Sequence, residues 1–398
     1  MEQIKKNRWL IKLIAKANFS TKSQLLRNFL FSENKYLPKT KLEANAKSVL
    51  KCALCPNMCR FDCPVLKAEK SEALSPSGKT RVAHLLETDK LNYERETTSI
   101  FYNDADCDAC KQWCPFGFSV GELSIGIKSD IANRGLAPKG LLAVKEKILE
   151  RHTLYPENVT SMEINPKKKA EILYFAGCTT LNRRKETAVA TTKILESAGV
   201  DFTVLQEEWC CGYPLHALGF RKEFEAFSEH NIKSFKETGC KTIVCSCPSC
   251  AYMFKKIYPA GKYNVQHTSQ FFWELMKNNR LNLKDVEREV VFHDPCSLAR
   301  KLNVYEEPRL ILKSIPKINL KEAYSNKKNT QCCGRGGALG IANPALSLQL
   351  AKNRVAQLKE TSASVVTACP SCELALKEAD ETIEVLDLSE IILAALNQ

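Results

Sequence analysis

Ten of the 19 cysteines fall into one pattern that is written twice, and this pattern restricts the chain more than any other feature. The first copy reads Cys178, 31 residues, Cys210-Cys211-Gly212, 34 residues, Cys247-Pro248-Ser249-Cys250. The second reads Cys296, 35 residues, Cys332-Cys333-Gly334, 34 residues, Cys369-Pro370-Ser371-Cys372. Equivalent cysteines are offset by 118 residues at the first position and by 122 at all the others. A fixed offset of this kind is an internal duplication, so two copies of one structural unit are expected. Adjacent cysteines leave a tight backbone in different directions and do not readily share one tetrahedral zinc. They suit neighbouring irons of an extended cluster. Five thiols per copy also exceed the four a cubane accepts, so one must bridge or a non-cubane cluster must form.

The residues around these cysteines alternate short apolar runs with amphipathic helices. Ile172–Ala176, Phe202–Leu205 and Thr242–Val244 read as buried strands, and Val290–Phe292 and Ser364–Thr367 repeat the plan. Between them, Val189, Ile194, Leu195 and Ala198 stripe one helix stopped at Gly199, and Phe220, Phe224, Phe227 and Phe235 stripe another closed by Gly239. Leu346, Leu350 and Val355 mark the matching helix of the second copy. The pattern predicts α/β units with the cysteines at the carboxyl ends of the strands, where open α/β sheets place their ligands.

Seven more cysteines lie upstream: Cys52-x2-Cys55-x3-Cys59-x3-Cys63-Pro64, then Cys107-x2-Cys110-x3-Cys114-Pro115. Short spacings that close in Cys-Pro are the signature of [4Fe–4S] cubanes, in which the last cysteine of each run reaches over to the other cluster. A structural zinc site is the plainer alternative, but it needs four ligands and leaves the Cys-Pro unexplained. One cubane is completed by Cys52, Cys55, Cys59 and Cys114. The other has Cys63, Cys107 and Cys110, with a third position read as empty among Lys111, Gln112 and Trp113 and with Asp106 and Asp108 as the nearest carboxylates. The segment between the two runs lacks strand-like alternation, which predicts a helical domain, with Ser75-Pro76-Ser77-Gly78 as a turn.

The formal charge of +13 gives no support to a nucleic-acid reading. Residues 1–50 hold 11 Lys and Arg against three Glu, and metal-bound cysteine elsewhere adds negative charge. Within that segment Arg8 to Lys16 forms a short basic stretch around Trp9, Leu10, Ile11, Leu13 and Ile14, expected to be a helix. It packs on the protein's own surface or docks to a membrane face or partner subunit. Leu37-Pro38-Lys39 reads as a linker. The odd cysteine count, a start without a secretory signal and the lack of an 18-residue apolar run argue against a disulfide framework and a membrane-spanning helix. The expected location is cytoplasmic, or peripheral at the inner face of the membrane.

The repeated Cys…CysCysGly…CysProSerCys motif, preceded by two Cys-Pro runs, resembles the fused catalytic subunit of heterodisulfide reductase, within the cysteine-rich CCG superfamily. The resemblance covers about residues 50–398. It implies a multi-domain α plus α/β protein: a basic helical extension (1–50), an α-helical ferredoxin domain (51–135), a linker (136–168) and two tandem CCG domains (169–285 and 286–398). It also implies two non-cubane [4Fe–4S] clusters, one on Cys178, Cys210, Cys211, Cys247 and Cys250, the other on Cys296, Cys332, Cys333, Cys369 and Cys372. A disulfide held between them would undergo two-electron reduction, or the reverse, with electrons fed by the cubanes. Iron–sulfur subunits of glycolate, lactate and glycerol-3-phosphate oxidation are relatives too. The alternative function is therefore an electron relay from a flavin-dependent dehydrogenase to quinone. No flavin or nicotinamide fingerprint is present, so the expected partner is a flavoprotein or a membrane cytochrome or quinone-reducing subunit. The expected small-molecule system is a disulfide or 2-hydroxy-acid oxidation, with no nucleic acid.

Cys240 and Cys245 remain, flank the strand at 241–244 and read as small buried apolar groups. His216 and His293-Asp294-Pro295 are candidates for supplying a proton to a departing thiolate or for orienting a cluster loop. Arg335-Gly336-Gly337 is a candidate for holding an anionic substrate, or a plain glycine turn.

Overall fold

The computed structural model describes residues 15–23, 51–52, 55, 57–117, 119–164, 166–167, 169–259 and 263–396. The basic apolar stretch at 8–14 and the linker at 37–39 lie outside the described residues.

The duplication is visible as two four-stranded sheets, every pairing in them parallel. β1 (Ile172–Phe175), β2 (Phe202–Thr203), β3 (Thr242–Cys245) and β4 (Asn264–His267) form the order β2-β1-β3-β4. β5 (Arg288–His293), β6 (Ile318–Lys321), β7 (Ser364–Thr367) and β8 (Glu384–Asp387) repeat it as β6-β5-β7-β8. Parallel strands are covered on both faces, so successive residues of β1 feed different cores. Leu173 and Phe175 join one cluster of buried residues, Ile172 and Tyr174 another. β2 ends two residues earlier than the apolar run suggests. β4, β6 and β8 escape the apolar-run criterion because they are edge strands with exposed or half-buried positions.

The two units exchange helices. The helix Leu388–Leu396 of the second unit packs on Lys185–Ser197 of the first, and Thr268–Lys277 of the first packs on Glu307–Ser314 of the second. Their shared core runs through Ile194, Phe272, Ile311, Phe292 and Ile392. Neither unit can bury this face alone, which explains why the duplication is retained in one chain.

The N-terminal domain is helical, as its cysteine-flanked sequence suggests. Ser75-Pro76-Ser77-Gly78 is not a free turn but the start of the helix Pro76–Glu87. Ser75 Oγ accepts the Gly78 N–H at 2.9 Å, and Pro76 takes the first helical position, where no N–H is needed. Val120–Asn133 follows, with Leu123, Ile127 and Ile131 packed into the same core as Leu218 and Phe220 of the first unit. The segment 136–168, expected as a linker, holds the helix Lys139–Arg151, whose Leu141 and Ile148 are buried in that core. The helical domain is thus packed against the first unit, not tethered to it.

Candidate functional site

Each cysteine set is built where its two central strands end. Cys178 opens a helix directly after β1, and Cys247 caps Pro248–Tyr252 after β3. Cys296 follows β5, and Cys369 caps Pro370–Ala379 after β7, its Sγ accepting the Cys372 N–H at 3.4 Å. The CysCysGly corner depends on its glycine. Gly212 and Gly334 have φ of +75° and +88°, and a Cβ on Gly334 would stand 2.4 Å from the Ser347 carbonyl oxygen. The left-handed turn after each pair lets Cys211 and Cys333 face inward: Cys250 and Cys211 sulfurs are 3.3 Å apart, Cys333 and Cys372 sulfurs 3.2 Å, and Cys178 and Cys210 sulfurs 3.6 Å.

Both sets open into one cavity of about 340 Å³. All five cysteines of the first unit line it, together with Cys296, Cys333, Cys369 and Cys372 of the second. Cys247 and Cys369, equivalent residues of the two units, come within side-chain hydrogen-bonding reach of each other there. Thr179 of the first unit and Ser371 of the second, 3.3 Å apart, join across the same cavity, and Tyr155 extends this run of hydroxyls. The tenth cysteine, Cys332, turns the other way, into a buried cluster with Cys63, Cys107 and Cys296.

The wall behind the first set is aromatic. Phe175 meets Phe254 edge-on at 4.8 Å and Phe235 at 6.1 Å, and Tyr258 and Asn231 donate to the Cys211 and Cys210 carbonyls, each at 3.1 Å. Behind the second set the place of Phe175 is taken by His293 and that of Asn231 by Arg354, the helix after each CysCysGly being offset by 123 residues. Arg354 Nε donates to His293 Nδ1 at 3.1 Å, which puts the imidazole proton on Nε2. Ligand atoms of His293, Cys333 and Cys372 all lie within 4.8 Å of one another. Burial and the Arg354 charge hold the His293 pKa below its usual value. Asp294, the next residue, is held bidentately by buried Arg309, both contacts at 2.7 Å.

Two buried donors around the second set, Arg354 Nη2 and Arg300 Nη2, have no hydrogen-bond partner among the described residues, and His293 Nε2 has only the Cys333 thiol within reach. Cys333 and Cys372 face Arg354, and Cys107, Cys296 and Cys332 face Arg300. Unpaired buried donors are rare and costly, so this arrangement fits an anionic group held among the thiolates, as an iron–sulfur cluster is. Burial raises many of the other thiols, Cys52 and Cys63 to about 11, and ligation would displace their protons.

The upstream cysteines form two hollows. Cys52, Cys55, Cys59, Cys110 and Cys114 line the outer one and Cys63, Cys107 and Cys110 the inner one. The empty ligand position expected among Lys111, Gln112 and Trp113 is not at the inner hollow. Trp113 is 43% exposed and donates to Asp62 at 2.6 Å, whereas Asp104 and Asp108 line the hollow. Asp106 does not line it: its Oδ2 accepts from buried Lys301 at 2.5 Å and from Tyr213 at 3.0 Å, while its buried Oδ1 has no hydrogen-bond partner among the described residues.

Of the other candidates, Arg335 lines the central cavity and pairs with Glu378. His216 does not line it and lies against Phe224, its pKa lowered to about 4 by burial. Cys240 donates to the Ala170 carbonyl at 3.1 Å, and Cys245 is buried in β3; neither lines a cysteine hollow. Sequence reasoning missed the buried cations Lys79, Lys301, Arg309 and Arg354. Arg300-Lys301, beginning four residues after Cys296, was the one legible signal.

Comparison with known proteins agrees with this geometry. The cysteine-rich domain family CCG matches residues 172–255 and 290–377. One subunit of the dihydromethanophenazine:CoB--CoM heterodisulfide reductase of Methanosarcina acetivorans is 30% identical over 73% of this chain and 76% of its own length. One subunit of the fumarate reductase (CoM/CoB) of Methanothermobacter marburgensis is 25% identical over 96% of this chain and 79% of its own length. FadF of Bacillus subtilis, a probable iron-sulfur-binding oxidoreductase, is 32% identical over 56% and 34%. With two cysteine-rich domains and these relatives, the chain belongs to the family of iron–sulfur oxidoreductase subunits that includes this heterodisulfide reductase subunit.

Proposed function

We propose that the chain reduces a disulfide by two electrons, or oxidises the dithiol, in the cavity between two cysteine-held non-cubane [4Fe–4S] clusters. The observation that carries this reading is the single cavity shared by cysteines of both units, with Cys247 opposite Cys369. A relay needs one path past each cluster, whereas a bond between two sulfurs needs a site on each side. Iron–sulfur clusters supply single electrons, and two of them match the two-electron demand of an S–S bond.

The chain's own residues set the rest. Val144, Leu154, Ile341 and Leu374 make part of the wall apolar, which excludes water. Arg335 is the charged side chain lining the cavity, so a disulfide with an anionic tail fits best. The hydroxyl run from partly exposed Tyr155 through Thr179 to Ser371, with contacts of 3.1 and 3.3 Å, offers protons to product thiols. His293 holds its proton at Nε2 towards Cys333 and Cys372. Electrons enter from the outer hollow, where Cys55, Cys59 and Cys114 are half-buried. They pass to the inner hollow and then to the second unit, because Cys107 reaches Cys332.

Anaerobically purified protein should be brown, carry about 12 to 16 irons with matching sulfide, and reduce an anionic disulfide with a viologen donor. Full cluster content with no turnover of any of a panel of disulfides would favour the relay reading. Near-stoichiometric zinc without sulfide would sink both. FadF, similar over its matched third, keeps the relay reading as the second choice.

A further inference from the structure

The inner hollow offers three cysteines where a cubane needs four ligands. Bacterial cubane runs space their ligands by two, two and three residues before the Cys-Pro. Counting back from Cys114-Pro115 with those gaps gives Cys110, Cys107 and then residue 104, which is aspartate. The first run, counted back from Cys63-Pro64, has Cys52 in the corresponding place. The missing ligand is therefore the first of its run, not the third.

The structure puts Asp104 where this count requires. Asp104 lines the inner hollow with Cys63, Cys107 and Cys110. Asp104 Oδ2 accepts from buried Lys79 at 2.8 Å and Oδ1 from the Asp106 N–H at 2.8 Å, which aims the carboxylate and leaves lone pairs on both oxygens. Burial opposes its charge, yet Lys79 and Lys128 hold its pKa below the usual carboxylate value. Asp108 also lines the hollow, but it follows Cys107 directly, is held by Ser119, and has its pKa raised by burial. Cys332 reaches Cys107 from the second unit but does not line the hollow.

We propose that Asp104 is the fourth ligand of a [4Fe–4S] cluster held by Cys63, Cys107 and Cys110, making this an aspartate-ligated site beside an all-cysteine one. The assignment rests on the cluster reading given under the proposed function. A carboxylate oxygen binds iron less firmly than a thiolate, so the iron at that corner is the exchangeable one. On mild oxidation by ferricyanide, a [4Fe–4S]2+ cluster loses one electron to the oxidant and releases Fe2+, leaving [3Fe–4S]+ and a free Asp104 carboxylate beside Lys79.

The test uses the full chain with its clusters, titrated with ferricyanide and followed by electron paramagnetic resonance. The wild type is expected to develop a [3Fe–4S]+ signal that Fe2+ and dithionite reverse, and Asp104→Cys to reduce that signal at least ten-fold with iron content unchanged. Cys332→Ala should keep it. If Asp104→Cys does not assemble, Asp104→Ala serves instead and should release iron to a ferrous chelator at least ten-fold faster than the wild type. A wild type with no such signal, an unaltered signal in Asp104→Cys, its loss in Cys332→Ala, or unchanged release in Asp104→Ala overturns the assignment. Cys107→Ala separates the two levels: a full cluster complement in that variant would refute the inner cluster itself, whatever Asp104 does.

Discussion

The two cysteine-rich units share strand order, helix exchange and all but the first cysteine spacing, yet their sites are walled by different chemistry. The first is backed by Phe175, Phe235 and Phe254, the second by His293, Arg354 and the Asp294–Arg309 pair. The helical domain treats them differently as well. Its Lys128 donates to the Ala217 carbonyl of the first unit, at 2.9 Å, and burial lowers its pKa to about 8. Lys301 of the second unit reaches back to Asp106, and the carboxylate keeps it charged. Among the described residues, the second unit packs cysteines, Cys296 and Cys332, into one buried cluster with Cys63 and Cys107 of the helical domain, and the first unit has none there. Under the proposed function, duplication would supply the symmetry a disulfide needs, and the divergence of the walls would supply a direction for electrons. Buried positive charge favours the more negative, reduced state of a cluster, so the second unit is expected to have the higher potential.

The largest test of this asymmetry removes one inward cysteine at a time. Cys211→Ala and Cys333→Ala should each lose about four irons and all disulfide turnover. In Cys333→Ala, rapid-freeze spectroscopy should show the first-unit cluster reduced at least ten-fold more slowly by the cubanes. In Cys211→Ala, reduction of the second-unit cluster should be unaffected. Equal slowing in both variants would mean that electrons enter either unit.

Stability should divide along the same line. Arg309→Met strands the Asp294 carboxylate, which is 1% exposed, and should cost about 3–5 kcal/mol, read as a fall in the denaturation midpoint. Asp294→Asn together with Arg309→Met should cost less than the single change. If Arg309→Met alone costs under about 1 kcal/mol, the range found for exposed pairs, the pair is not the internal brace described above.

Redox tuning is the next test in size. Arg354→Met removes a charged donor worth roughly 1.5–3 kcal/mol, equivalent to about 60–130 mV for a one-electron couple. One cluster's midpoint should fall by that amount. Ile232→Met, next to the matching Asn231 in the first unit, should move neither. A shift of the same size in both would show that the walls do not set the difference.

The smallest effect is a pH slope at the helical-domain contacts. The Lys128 pKa is about 8 in the fold against 10.5 for the free side chain, so between these values the unfolded chain binds the extra proton. Stability therefore rises with pH across that window, by at most about 1.4 kcal/mol per unit. Lys128→Met should remove this rise, seen as a flatter stability profile between pH 8 and 10.5. An unchanged profile would locate the titration elsewhere.

Much of this was legible in one dimension. The duplication, the strands at 172–175, 242–245 and 364–367, and the grouping of cysteines at strand ends follow from spacing and apolar runs, because buried parallel strands leave short, unbroken apolar signatures. The edge strands β4, β6 and β8 left no such trace, since one side of each lacks a neighbour and their burial is partial. The expectation of an empty position at 111–113 arose because the second gap of the first run is one residue longer than usual and made an irregular template.

Chain order alone sets the local chemistry: which thiols are close along the backbone, how many sets there are, and that each ends a strand. Which sets meet is a matter of packing. Cys247 and Cys369 are 122 residues apart in the chain, and Cys107 and Cys332 are 225 apart. They face each other because each unit covers its apolar surface with the other's helix, which fixes the orientation of the strand ends. The buried cations were equally hidden, since a lysine in a helical pattern reads as solvent-exposed. Lys79, Lys301 and Arg354 became visible only when packing closed around them and left their charges facing carboxylates and thiols.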